Sequence, residues 1–209
     1  MGAGLRALPI DGRPWEDGEM RPEDRRGVAA RDLVPKGAGD GPIEIVEYDP
    51  FWPASYVAEC ERLAPLLPGV RISHIGSTAV PGLAAKPVID MIALVDDLDA
   101  NITALMQRAG YQLPARFNVS LVHRRFLCYP TVVYRTHHLH IVDEREDMDR
   151  CLRFRDSLRA DPELAGEYAA LKRALAARFR DDREGYTEAK SRFIKDSDSR
   201  GAGGGVVGP

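Results

Sequence analysis

The sequence predicts an α/β (α+β) domain: a mixed β-sheet of four to five strands flanked by helices, with a C-terminal helical segment. Three observations carry that prediction. Residues 88–95 form an apolar run (Val88, Ile89, Met91, Ile92, Ala93, Leu94, Val95) that starts after Pro87 and is interrupted only by Asp90. A run of that length suits a central strand covered on both faces. Strand-like segments at 43–48, 70–75, 124–129 and 131–142 are interleaved with helix-periodic ones, and three helical stretches follow one another after residue 144.

The elements follow in order. Ile43-Glu-Ile-Val-Glu-Tyr48 alternates like a short strand, and Asp49-Pro-Phe-Trp-Pro53 turns the chain into a helix with Pro53 in its first turn. Tyr56, Val57, Cys60, Leu63, Ala64 and Leu67 recur at helical spacing until Pro68-Gly69. Val70–Ile75 is the next strand and delivers a Gly76-Ser77 turn. After the Asp90 strand, Asp96–Asp99 offer N-caps for a helix over 99–109, which Gly110 ends. Tyr111-Gln-Leu113 reads as an edge strand, Arg124–Tyr129 and Thr131–Val142 as further strands. Helices are expected over 144–160, 161–179 (opening on Asp161-Pro-Glu) and 183–196.

Composition sets the boundaries. The 209 residues suffice for one domain with a substantial core, 42–196. Gly and Pro fill 12 of the first 41 positions with no persistent period, so 1–41 is expected to be a disordered extension and 197–209 a loose tail. A net charge of −3 argues against nucleic acid held by bulk charge. Cys60, Cys128 and Cys151 match no zinc spacing and suit a reducing compartment. No apolar run approaches the roughly 20 residues that span a bilayer, and the N-terminus lacks a basic segment followed by an apolar one. The expected location is cytoplasmic, with no membrane partner.

Four groups of residues can carry chemistry. A glycine and a small hydroxyl residue at a strand end, Gly76-Ser77, let backbone N–H groups approach an anion closely; the same pair also makes an ordinary tight turn. Asp90 on a buried strand either binds a divalent metal or is satisfied by internal cations and donors. In His137-His138-Leu139-His140, strand alternation puts His138 and His140 on one face, where the pair can bind a metal, meet a phosphate or simply pack. His74 is close enough in sequence to Gly76 to join them. Lys86, Arg124, Arg125, Arg135, Arg153, Arg155 and Lys190 are candidate phosphate contacts, with Lys190 one helical turn from Tyr186. The stripe Leu152, Phe154, Leu158, Leu164, Tyr168, Leu171 and Leu175 reads as core.

Together these segments resemble the GrpB family of the nucleotidyltransferase-fold superfamily over about residues 43–195. The carriers are Val46-Glu-Tyr-Asp-Pro-Phe-Trp-Pro53, the block from His74 to Asp90, Arg135-Thr-His-His-Leu-His-Ile-Val142, Phe154-Arg-Asp156 and Tyr186-Thr-Glu-Ala-Lys190. The resemblance implies a nucleotidyltransferase-like fold with its site at the Gly-Ser turn. Gly76 and Ser77 would hold phosphate, helped by Lys86, Arg125 and Lys190. Asp90, His138 and His140 would be the catalytic residues and hold Mg²⁺ or Mn²⁺, since Ile92 stands where that superfamily carries a second carboxylate. The implied activity moves a nucleotidyl group from a nucleoside triphosphate to a small-molecule acceptor. The alternatives are a non-catalytic module binding a nucleotide or acidic metabolite, and a single-metal enzyme of another reaction class.

Overall fold

The apolar run does form a central strand. In a computed structural model, which describes residues 35, 37–39 and 41–202, β2 (Ile89–Leu94) lies between β1 (Ile72–Ile75) and β4 (Arg135–Val142), with β3 (Arg124–Pro130) at the far edge. The order β1-β2-β4-β3 makes a four-stranded mixed sheet, parallel only between β2 and β4.

Alternation along these strands decides what each face meets. Ile89, Met91 and Ala93 share one face with Leu127, Leu139 and Ile141, packed under α1 (Trp52–Leu63) and α2 (Ile102–Ala109). On the opposite face Ile92 meets Ile75, Val142 and Met148, the last from α4 (Arg145–Ala160). A one-residue slip of β2 would bury Asp90 under α1, so burial of these rows, about 1.5–3 kcal/mol per large side chain, fixes the register. Asp90 therefore faces the C-terminal helices. These are α4, α5 (Pro162–Arg178) and α6 (Arg183–Ala202), where Phe154 and Tyr168 pack with Val80 and Leu83 of the loop after β1.

Local signals account for most ends. Pro53 sits in the first turn of α1, Asp161 caps α5 by accepting from the N–H groups of Glu163 and Leu164, and Gly110 closes α2 at φ 71°. The helix expected from 53 to 67 stops at Leu63, and turns carry Leu66 and Leu67 into the same core. Asn101, not one of Asp96–Asp99, occupies the N-cap position of α2. The segment 111–123 contains the short α3 (Ala115–Asn118), whose Asn118 side chain bonds both N–H and C=O of Phe126.

Two strand expectations change. The strand expected at 43–48 is a single bridge between Val46 and Ala85, because neighbouring backbone groups go elsewhere: the Ile43 N–H donates to the Arg180 carbonyl at 2.8 Å. Tyr111–Leu113 likewise contributes one bridge, Gln112 to Cys128. The extension 1–41, expected to be disordered, lies mostly outside the described residues, and its described part near residue 38 makes one isolated bridge to the start of β4. Gly37 N–H donates to the Pro87 carbonyl at 2.9 Å, and Ala38 pairs with Arg135 through two backbone bonds. At the other end α6 continues past residue 196 to Ala202, and 203–209 lie outside the described residues. Among the described residues no helix is long and apolar enough to cross a membrane.

Candidate functional site

The Gly76-Ser77 turn leaves β1 where Ile75 pairs with Asp90. Gly76 has φ 72° and ψ −170°, a conformation open mainly to glycine, and leads into a 3-10 turn over Ser77–Ala79. A Cβ there would stand 2.8 Å from Asp90 Oδ2, so glycine also lets the backbone pass against the carboxylate.

The turn is held from both sides. Beneath it, the buried Thr78 hydroxyl donates to the Val88 carbonyl at 3.3 Å and therefore accepts from His74 Nε2 at 3.0 Å. The His74 ring stacks on Tyr56 with centroids 4.8 Å apart. Burial drives the His74 pKa down to about 3, against the pull of Asp90, so the ring is neutral. From α4, Arg155 donates to the His74 carbonyl at 3.0 Å, and Arg159 reaches the Ala79 carbonyl at 3.0 and 2.8 Å. Arg155 is thus engaged with the β1 backbone ahead of the turn and with Asp156, not with an open phosphate position.

Asp90 and His138 meet across β2 and β4, with Oδ1 and Nδ1 2.8 Å apart. The two side chains are 32% and 16% exposed. Burial works to raise the Asp90 pKa, but the His138 hydrogen bond and the charges of His138, His140 and Lys190 outweigh it and hold it at about 2. A carboxylate only accepts, so His138 donates through Nδ1, and its buried Nε2 has no hydrogen-bond partner among the described residues. His140 lies on the same face, kept neutral at about 3 by burial and the nearby Arg124, with Nδ1 likewise without a partner. The Phe126 ring touches both imidazoles, at 5.0 and 5.3 Å between centroids.

Asp90, His138 and His140, the expected metal ligands, share this face, with Asp90 and His138 hydrogen-bonded to each other. Among the described residues no three His, Cys, Asp or Glu side chains are grouped to hold a metal ion. Asp90 Oδ1 accepts the His138 proton, and Ile92, two residues further along the same face of β2, is fully buried. Asp90 and His138 are brought together as expected, but as a hydrogen-bonded pair.

The third side of the turn belongs to α5. Lys172 is only 2% exposed, and its Nζ donates to Ser77 Oγ at 2.9 Å and to the Ala84 carbonyl. Nζ also lies 4.7 Å from the Tyr168 ring centroid, and the Tyr168 phenol hydrogen-bonds Ser77. Among the described residues Lys172 forms no ion pair. Burial, then Lys190 and Arg173, push its pKa down to about 7 with no carboxylate opposing them. Lys190 on α6 is half-buried above the Tyr186 ring, and its charge is felt at Asp90, His140 and Lys172.

Arg125 requires a correction. It pairs with Ile141, which places it on the α1/α2 face, where it holds Asp99 at 2.9 and 3.1 Å. The adjacent Arg124, paired with Val142, is the one on the histidine face. Lys86 is half-buried in the loop between Ala85 and Pro87. The residue that sequence reasoning missed is Lys172. The available signal was its position on the buried stripe, four residues after Tyr168 and three before Leu175.

A mixed sheet carrying a Gly-Ser turn and a strand carboxylate, with a buried lysine supplied by a C-terminal helix layer, defines a class of α/β domain with a composite, mixed-charge site. The family model described as GrpB protein matches residues 42–200, and the chain belongs to the GrpB family. It is 42% identical over 163 residues to a UPF0157 protein of Pseudomonas aeruginosa, covering 75% of this chain and 66% of that protein. The crystal structure of conserved protein GrpB from Enterococcus faecalis matches with a TM-score of 0.61 and 32% identity, over 74% of this chain and 99% of that one. A dephospho-CoA kinase of Mycolicibacterium paratuberculosis is 30% identical over 196 residues, covering 80% of this chain but only 48% of the kinase.

Proposed function

We propose that the Gly76-Ser77 turn binds the phosphates of a nucleoside triphosphate that arrives with Mg²⁺ or Mn²⁺, and that the protein transfers its nucleotidyl group to a small-molecule acceptor. The observation that carries this reading is the charge pattern at the turn. Asp90 presses on Gly76 from one side while Lys172, buried and without an acid partner among the described residues, bonds Ser77 from another. An anion alone would meet the Asp90 charge, and a cation alone would meet the charge of Lys190. A metal-bound polyphosphate satisfies both.

In this reading Ser77 and the Gly76 backbone position the phosphates, and Lys172 and Lys190 neutralise them. Asp90 Oδ2, the oxygen not committed to His138, faces the cation that the substrate carries. His138 orients Asp90 and keeps it ionised. The acceptor oxygen attacks the α-phosphorus, the bond to the bridging oxygen of the β-phosphate breaks, pyrophosphate leaves and the acceptor's proton passes to water. The likeness to part of a protein named dephospho-CoA kinase supports a nucleotide setting.

One observation favours a second reading, a binding module without turnover: Ile92 is sealed among Ile75, Val142 and Met148, so no second strand carboxylate serves a two-metal mechanism. Pyrophosphate release separates the two. The transferase reading expects release from a nucleoside triphosphate with Mg²⁺ in a mixture of sugar and alcohol acceptors. Tight binding with no release across that panel supports the module, and no binding of any nucleoside triphosphate rejects both.

A further inference from the structure

We propose that Lys172 is a proton-coupled anchor for an oxyanion, so that the site takes up one proton when a phosphate group docks beside Ser77. This rests on the reading of the turn as a polyphosphate site and extends it by naming the anchoring residue and the proton that accompanies binding.

The geometry carries the argument. Lys172 Nζ is enclosed by two neutral oxygens, Ser77 Oγ and the Ala84 carbonyl, and by the Tyr168 ring. A neutral amine with two N–H bonds satisfies both oxygens, whereas an ammonium would add a third donor and a buried charge with no counterion. The charged groups around it do not supply one. Lys190 on α6 and Arg173 on α5 have the same sign, and Arg173 is paired outward with Glu47 at 2.6 Å. Tyr168 and Tyr186 are held neutral by burial, Asp90 is engaged with His138, and Arg155 and Arg159 donate to the His74 and Ala79 carbonyls. Burial therefore leaves the resting amine titrating near neutrality, at about 7.

Ser77 is half-buried and reachable from outside, in contrast to Lys172. A phosphate oxygen that settles on Ser77 Oγ comes within reach of Nζ and supplies the missing negative charge. The ammonium form is then favoured, so binding draws a proton from solvent. Above about pH 7 the anion affinity should fall by up to about tenfold per pH unit, because each docking event must first protonate the amine.

The test is calorimetric titration of the full chain with inorganic tripolyphosphate and, separately, with ATP, each in the presence of Mg²⁺. Each is run in two buffers of different ionisation enthalpy, which counts protons taken up. The wild type should take up about one proton per anion near about pH 8 and almost none near about pH 6. Subtracting the Lys172→Arg titration removes protons taken up by the anion itself. Lys172→Arg, charged at every pH, should keep the affinity that Lys172→Met loses, without the extra proton, and circular dichroism reports whether either variant folds. ATP binding with the same proton count in wild type and Lys172→Met would overturn the anchor and leave the nucleotide reading standing. Proton-coupled binding of tripolyphosphate with no binding of any nucleoside triphosphate would support the anchor and reject the nucleotide reading.

Discussion

Asp90 Oδ2 occupies the space that a side chain on Gly76 would need, 2.8 Å from where its Cβ would be, while Asp90 Oδ1 is bound by His138 2.8 Å away. One carboxylate thus fits against the Gly-Ser turn and ties it to the two central strands. Gly76→Ala would meet both the clash and the φ of 72°. It should cost about 1–3 kcal/mol in urea denaturation, before any relaxation of Asp90, and should abolish anion binding. Gly166, exposed on α5 with open space around it, is the counterpart: Gly166→Ala should stabilise the fold by about 0.5–1 kcal/mol. Equal effects at the two positions would contradict the strained-turn account.

Acid should unfold the protein early. His74 and His137 are buried and neutral, with pKa values lowered to about 3 and about 4, chiefly by burial. Below the ordinary histidine pKa the unfolded chain binds protons that the folded chain refuses, so stability falls as pH drops from about 6.5 towards those values. These two groups, with His140 lowered likewise to about 3, give a slope of about 4 kcal/mol per pH unit once all titrate in the unfolded state. Denaturant midpoints measured from pH 7 to pH 5 check this. A flat profile would show that none of these rings is held neutral.

Asp90 acts lower on the scale. Its pKa, depressed from 3.8 to about 2, adds stability that is present above 3.8 and is lost as pH falls through 2. That shift corresponds to about 2 kcal/mol, an order-of-magnitude figure for a group coupled to His138. Asp90→Asn should remove this part of the acid transition while leaving the histidine part in place. An unchanged acid limb in the variant would mean that the His138 bond does not hold the carboxylate ionised.

Lys172→Met should raise stability at neutral pH by about 1–2 kcal/mol, since an apolar chain of similar length replaces a buried amine lacking a counterion. The same variant should lose its thermal response to tripolyphosphate. Stability gained together with ligand response lost is the signature of a binding residue, and a destabilised variant would instead assign Lys172 to the scaffold.

Arg125→Ala provides the check on faces. Its partner Asp99 is 68% exposed, so the pair should be worth about 0–1 kcal/mol and the variant should bind anions as the wild type does. A marked loss of anion binding would mean that the sheet register places the wrong arginine beside the histidines.

The sequence disclosed the frame of the site better than its contents. Asp90 declared itself because a charge interrupts an apolar run, and the faces of His138 and His140 followed from strand alternation alone. Gly76-Ser77 was legible as a turn with open backbone. What was not legible depended on partners distant in sequence. Arg124 and Arg125 exchange faces with one step of register, and only the pairing of β3 with β4 decides between them. Lys172 was concealed by its type, since a helical lysine ordinarily lies in solvent, and its contact with Ser77 spans 95 residues. The strand expected at 43–48 had the right alternation, but lateral pairing is a tertiary property, and only Val46 has a bridging partner.

The most direct test of the central claim, that this turn binds a metal-bound polyphosphate, is a thermal-shift comparison of wild type and Asp90→Asn. Each is measured with ATP, GTP, CTP and UTP, with and without Mg²⁺ or Mn²⁺. Ligand at about 100 times its dissociation constant should stabilise the wild type by about 2.7 kcal/mol, or roughly 5–10 °C for a domain of this size. The account predicts that at least one nucleotide gives such a shift only with the cation present, and that Asp90→Asn removes the cation-dependent part. A shift in Asp90→Asn as large and as cation-dependent as in wild type, or no shift with any nucleotide, would contradict it.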